Sequence, residues 1–107
     1  MKKVLFVCGR NRKRSPTAEV LFRDHPGVDV QSAGLAPDAD TPLDREMVEW
    51  ADVIFVMEAS QRRKINVQFG RSLKGVRLVC LDIPDRFEFM DPQLQELLKE
   101  RVGLVLG

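Results

Sequence analysis

Residues 8 to 15 read Cys8-Gly9-Arg10-Asn11-Arg12-Lys13-Arg14-Ser15, a thiol followed by four cationic side chains in a short polar stretch. The bare spacing of cysteine and arginine arises readily by chance in a chain with 17 basic residues. What gives it meaning is the chemistry the residues share. A tight loop that turns successive backbone N–H groups toward one point forms a concave nest of partial positive charge, suited to phosphate or another tetrahedral oxyanion. The same field favours the thiolate of Cys8, a ready nucleophile. Arg14 can grip two phosphoryl oxygens with its planar fork and hold charge that builds up during transfer. Asn11 suits a left-handed backbone position. Ser15 either caps the following helix or donates to the sulfur and eases its departure.

These groups must be held by elements on both sides. Lys3 to Cys8 is an apolar run after a charged start and reads as a buried strand. Ser15-Pro16-Thr17-Ala18-Glu19 opens a helix, with proline in the first turn where its missing N–H does no harm; His25-Pro26-Gly27 stops it. Further strands are expected over Val28–Ser32, Asp52–Met57 and Val76–Leu81, and helices over Leu43–Trp50, Ala59–Phe69 and from Asp91-Pro92 onward. Strands alternating with helices imply an α/β class with a parallel sheet, whose ligands sit beyond the carboxyl ends of the strands. Cys8 and its loop fall there.

The chain of 107 residues reads as a single domain over residues 1–107, with a net charge of +1 that says little about partners. The basic residues near the front suggest a local anion site rather than a wholly basic surface. No apolar run approaches the roughly 18 residues of a membrane span, so a cytoplasmic location and no membrane partner are expected. Two thiols, Cys8 and Cys80, suggest a reduced compartment without a structural disulfide. One histidine, His25, and scattered carboxylates suggest no metal site and no cofactor.

The stretch VLFVCGRNRKRSPTAEVLF, residues 4–22, resembles the low-molecular-weight protein tyrosine phosphatases, whose phosphate loop runs Cys, five residues, Arg-Ser. VQSAGL (30–35), ADVIFVME (51–58) and LDIPDRF (81–87) are similar to that family's strand motifs and acid loop, in the same order. The resemblance implies a four-stranded parallel sheet of order 2-1-3-4 flanked by helices. It also implies metal-free hydrolysis of phosphotyrosine-like aryl phosphates through a cysteinyl-phosphate intermediate, on a phosphorylated protein or a small aryl phosphate. It assigns Cys8 as nucleophile, Arg14 as phosphate clamp, Asn11 and Ser15 as loop supports and Asp85 as general acid. A carboxylic acid there would protonate a phenolate leaving group, whose conjugate acid has a pKa near 10. Asp82 is the competing acid, while Asp91 before Pro92 reads as a helix cap.

Several features depart from the family pattern. The chain is short between Gly34 and Asp52, where family members often build one wall of the cleft. Lys13 stands where a second cysteine commonly precedes the arginine. The aromatic pair that follows the acid is absent; Phe87 either flanks the substrate ring in its place or simply packs. Gly9, Arg10, Arg12 and Lys13 complete the substrate-binding set, and the three cations suggest a substrate with additional negative charge. Two alternatives remain: an arsenate reductase-like enzyme, which would need further redox cysteines, and a non-catalytic phosphate or nucleic-acid binding module using Arg62-Arg63-Lys64. Nucleic acid finds little support, since only Phe69 lies near that run to stack on a base.

Overall fold

The first strand, β1 (Lys2–Cys8), buries its last five residues completely or nearly so. Period-two alternation sends Val4, Phe6 and Cys8 to one face and Leu5 and Val7 to the other, so both faces must be covered. The computed structural model describes residues 1–106 and supplies that cover. After β1 come α1 (Arg14–Phe22), β2 (Val28–Gly34), α2 (Arg45–Trp50), β3 (Val53–Val56), α3 (Ala59–Phe69), a single 3-10 turn (Gly70–Leu73), β4 (Arg77–Cys80) and α4 (Pro92–Leu106). The sheet is four-stranded and parallel in the order β2-β1-β3-β4. Both the class and the strand order agree with the sequence reading.

Two apolar clusters lie on opposite sides of the sheet. One gathers Val4, Phe6, Phe55 and Met57 with Phe22 of α1 and Leu94, Leu98 and Val102 of α4. Phe6 stacks on Phe55 with ring centroids 5.4 Å apart and meets Phe22 at 5.8 Å. The other gathers Leu5, Val7, Ile54 and Val56 with Val48 of α2 and Ile65 of α3.

Boundaries differ from expectation by a residue or two, each with a physical reason. β2 runs on to Gly34 because pairing with β1 continues through Cys8↔Gly34. α2 starts later than Leu43: Asp44 caps it by accepting from the Met47 amide at 2.8 Å, while the Leu43 amide bonds the Gly34 carbonyl at 2.8 Å. The segment 35–41 has no regular structure, yet it is tied to the loop after β1 by three backbone bonds. The amides of Leu35, Ala36 and Asp40 donate to the carbonyls of Cys8, Gly9 and Arg10 at 3.0, 2.8 and 3.1 Å.

Candidate active site

Those three bonds orient the loop. In a planar trans peptide the carbonyl and the following N–H point in opposite directions. Carbonyls 8, 9 and 10 face segment 35–41, so the N–H groups of Gly9, Arg10 and Asn11 face away from it. The Asn11 amide reaches Cys8 Sγ at 3.2 Å. Asn11 achieves this with φ of 58°, the left-handed conformation anticipated from its residue type.

Cys8 is only 3% exposed and lies in a cavity of about 570 Å³ lined by Gly9, Arg10, Arg12, Lys13, Arg14, Ala36 and Asp85. Ser15 Oγ sits 2.9 Å from the sulfur and 3.4 Å from the Ala33 carbonyl, so its single proton has the sulfur as the nearer acceptor. Asn11 Nδ2 donates to Ser15 Oγ at 2.9 Å and to Ser32 Oγ at 3.0 Å, and the Ser32 hydroxyl donates in turn to Glu19. The chain from Glu19 to Cys8 crosses α1, β2 and the loop. Ser32 and Glu19 escaped the sequence reading, although a serine on the buried end of an apolar strand was the available signal.

Arg14 is 4% exposed, and its Nη1 is held by Glu58 Oε1 at 2.5 Å and by the Ile83 carbonyl at 2.8 Å. Its Nε lies 3.7 Å from Asp85 Oδ1. Gripping one nitrogen from behind fixes the guanidinium plane and leaves Nε and Nη2 without hydrogen-bond partners among the described residues. Glu58 is in turn fixed at the start of α3, where Gln61 Oε1 accepts from the amides of Met57 and Glu58 at 2.8 and 3.0 Å.

The rim cations line the cavity, and each has a carboxylate beside it. Arg10 faces Asp38 at 4.0 Å, Arg12 faces Asp40 at 3.3 Å, and Lys13 faces Glu88 at 3.2 Å. All six side chains are substantially exposed, so each pair contributes at most about 1 kcal/mol. Their structural effect is to fasten the loop to segment 35–41 on one side and to the acid loop on the other. Each of these three cations thus has a counter-charge outside the cavity lining.

Of the three aspartates weighed for the acid role, Asp85 lines the cavity with Cys8. Asp82 stands outside that lining; its backbone adopts φ of 55° and its carboxylate accepts from Cys80 Sγ at 3.3 Å. Asp91 caps α4 by accepting from the Gln93 amide at 2.8 Å. Phe87 does not flank the cavity. It is 4% exposed and belongs to the core cluster with Ile83, Leu94 and Leu98, with the Arg86 guanidinium 5.2 Å above its ring. The segment between β4 and α4 has no regular structure to hold it, so buried Ile83 and Phe87 anchor it and leave Asp85 facing outward. Burying such a ring is worth about 1.5–3 kcal/mol, more than an exposed stacking contact offers. Among the described residues, no aromatic ring lines the cavity.

The family model for low molecular weight phosphotyrosine protein phosphatase matches residues 3–51. A probable low molecular weight protein-tyrosine-phosphatase of Ralstonia nicotianae, EpsP, is 30% identical over 121 aligned positions, covering 91% of this chain and 82% of its own. The chain belongs to this family. By that membership it is a cysteine-based, metal-independent phosphatase, and the arsenate reductase and binding-module alternatives are not favoured. A protein-arginine-phosphatase of Bacillus subtilis is 33% identical over 95 residues, 64% of this phosphatase and 63% of the relative, so slightly under two thirds of that relative's length is spanned. The solution structure of a low molecular weight protein tyrosine phosphatase from Bacillus subtilis superposes with a TM-score of 0.75 at 26% identity, covering 96% of each chain.

Proposed function

We propose that the phosphatase hydrolyses phosphotyrosine-like aryl monoesters on proteins or small molecules. Cys8 Sγ attacks phosphorus as the P–O bond to the leaving group breaks, and Asp85 gives its proton to the departing oxygen. Water then attacks the cysteinyl phosphate with Asp85 accepting a proton, and the S–P bond breaks to release inorganic phosphate. Loop amides and Arg14 stabilise the charge on the transferring group, while Ser15 supports the leaving thiolate. The observation that carries this reading is the sulfur at the cavity floor, with the Asn11 amide at 3.2 Å, the Ser15 hydroxyl at 2.9 Å and one carboxylate, Asp85, across from it. A nucleophilic thiol needs a reducing surrounding, which favours the cytoplasm.

A second reading, hydrolysis of phosphoarginine, is favoured by the arginine phosphatase relative and by a cavity without an aromatic wall. The deciding experiment compares kcat/KM for matched phosphotyrosine and phosphoarginine peptides, with Cys8→Ser as the inactive control. Faster turnover of the aryl ester supports the first reading. Faster P–N cleavage replaces it with the second, and turnover that survives Cys8→Ser removes the cysteinyl intermediate.

A further inference from the structure

The cations around the loop are matched by carboxylates; those on α3 are not. Among the described residues, Arg63 and Lys64 have no carboxylate within ion-pair distance. Both are exposed. A groove of about 490 Å³ continues from the catalytic cavity, sharing Gly9, Arg14, Ala36 and Asp85 with it, and runs past Glu58 and along α3 by Ser60, Lys64 and Gln68. These three sit at positions i, i+4 and i+8, a single line along the helix. A smaller hollow carries on beyond, lined by Arg63 and Lys64.

We infer that this groove is a substrate subsite that seats the polypeptide flanking the phosphorylated residue and prefers an acidic side chain opposite Lys64. The inference rests on the phosphatase acting on proteins, as proposed above. Ser60 and Gln68 are about 12 Å apart along the helix axis, a span covered by three to four residues of extended chain at roughly 3.3 Å each. The groove beside α3 thus holds a short extended segment, and a scan of nearby positions finds which one lies opposite Lys64. Ser60 and Gln68 offer a hydroxyl and a carboxamide, groups that can hydrogen-bond a passing backbone. Of the charged groups along the groove, Glu58 and Asp85 both face Arg14, which leaves Lys64 as the one without a counter-charge among the described residues. Charge selection thus belongs to α3 and not to Arg12 or Lys13, whose charges are already balanced by Asp40 and Glu88.

The test uses phosphotyrosine peptides with Glu at positions two to four on either side of the phosphorylated residue, each paired with a Gln version of the same shape. The wild type should favour Glu over Gln on one side by about three- to fivefold in kcat/KM, through KM, with the ratio shrinking as salt is raised. Lys64→Glu should invert the ratio, and Lys64→Arg should keep it. An equal rate for Glu and Gln peptides, a ratio untouched by Lys64→Glu, or one abolished by Arg12→Glu instead would overturn the subsite while leaving the phosphatase reading intact. Failure of the wild type to turn over any aryl phosphate would overturn both.

Discussion

Gly34 sits where β2 passes closest to the phosphate loop, and a methyl group there provides a direct probe of how the loop is supported. A Cβ at this position would lie 2.7 Å from the Gly9 carbonyl oxygen, 2.7 Å from Ala39 Cβ and 2.9 Å from the Arg10 carbonyl carbon. Ordinary contact begins at 3.4 Å, and two of the three obstacles are backbone atoms of the loop itself. In Gly34→Ala the peptides after Cys8 must therefore retreat by several tenths of an ångström, and the bonds from Leu35 and Ala36 to the loop carbonyls stretch with them. Overpacking of this kind costs about 1–3 kcal/mol, which lowers Tm by roughly 4–20 °C in a domain of this size. A displacement near 1 Å at reacting groups costs up to about a hundredfold in rate, so kcat/KM toward an aryl phosphate should fall by tenfold or more. Gly103→Ala is the control: its methyl meets nothing within 4 Å, and alanine replaces glycine inside a helix, so Tm should hold or rise slightly. Thermal melts and steady-state kinetics on both variants decide the matter. A Gly34→Ala protein with native Tm and native kcat/KM would refute the claim that close backbone approach shapes the loop.

Three other perturbations follow from the same geometry. Glu58→Gln removes the charged partner of a buried guanidinium while keeping its shape, so kcat should drop about tenfold in steady-state assays with little loss of secondary structure by circular dichroism. Asp85→Asn should slow esters of poor leaving groups by about a hundredfold or more and those of good leaving groups far less; equal loss for both would remove Asp85 from the acid role. Burial raises the Cys80 thiol above the free-thiol range, with the neighbouring Asp82 carboxylate contributing to the shift. The folded state then holds its proton to higher pH than the unfolded chain does. The stability linked to it is complete at neutral pH and is lost as pH rises through the free-thiol range toward the raised value, a decline that urea titrations should find smaller in Cys80→Ala.

The sheet was legible because its strands are buried on both faces: VLFVC and VIFVM leave no polar position for any other reading. The loop was legible because its residue types have narrow uses, a left-handed asparagine and a forked cation among them. Ion pairing across the rim was not. Arg10, Arg12 and Lys13 are adjacent in sequence, but Asp38, Asp40 and Glu88 come from two irregular segments whose paths no periodicity reveals. Phe87 was ambiguous for a related reason: a lone aromatic in an irregular segment can face either way. Only the tertiary position of Ile83 and Leu94 decides that it turns inward.

The inward Phe87 and the paired rim together change what the cavity can select. A wall of rings would choose substrates by their aromatic surface, and a ring of unmatched cations would choose them by charge. Among the described residues this cavity has no ring in its lining, its rim cations Arg10, Arg12 and Lys13 each face a carboxylate, and the groups proposed to meet the phosphoryl group are the loop amides, Arg14 and Asp85. Such a floor binds the reacting group well and says little about what carries it. Discrimination must come from surfaces further out, and the groove that continues from the cavity runs along α3, where Arg63 and Lys64 have no carboxylate within ion-pair distance among the described residues. With the α3 subsite proposed above, phosphoryl chemistry and choice of substrate rest on separate elements, so altering Lys64 should shift preference among peptides, whereas altering Cys8 or Arg14 should lower the rate for all of them alike.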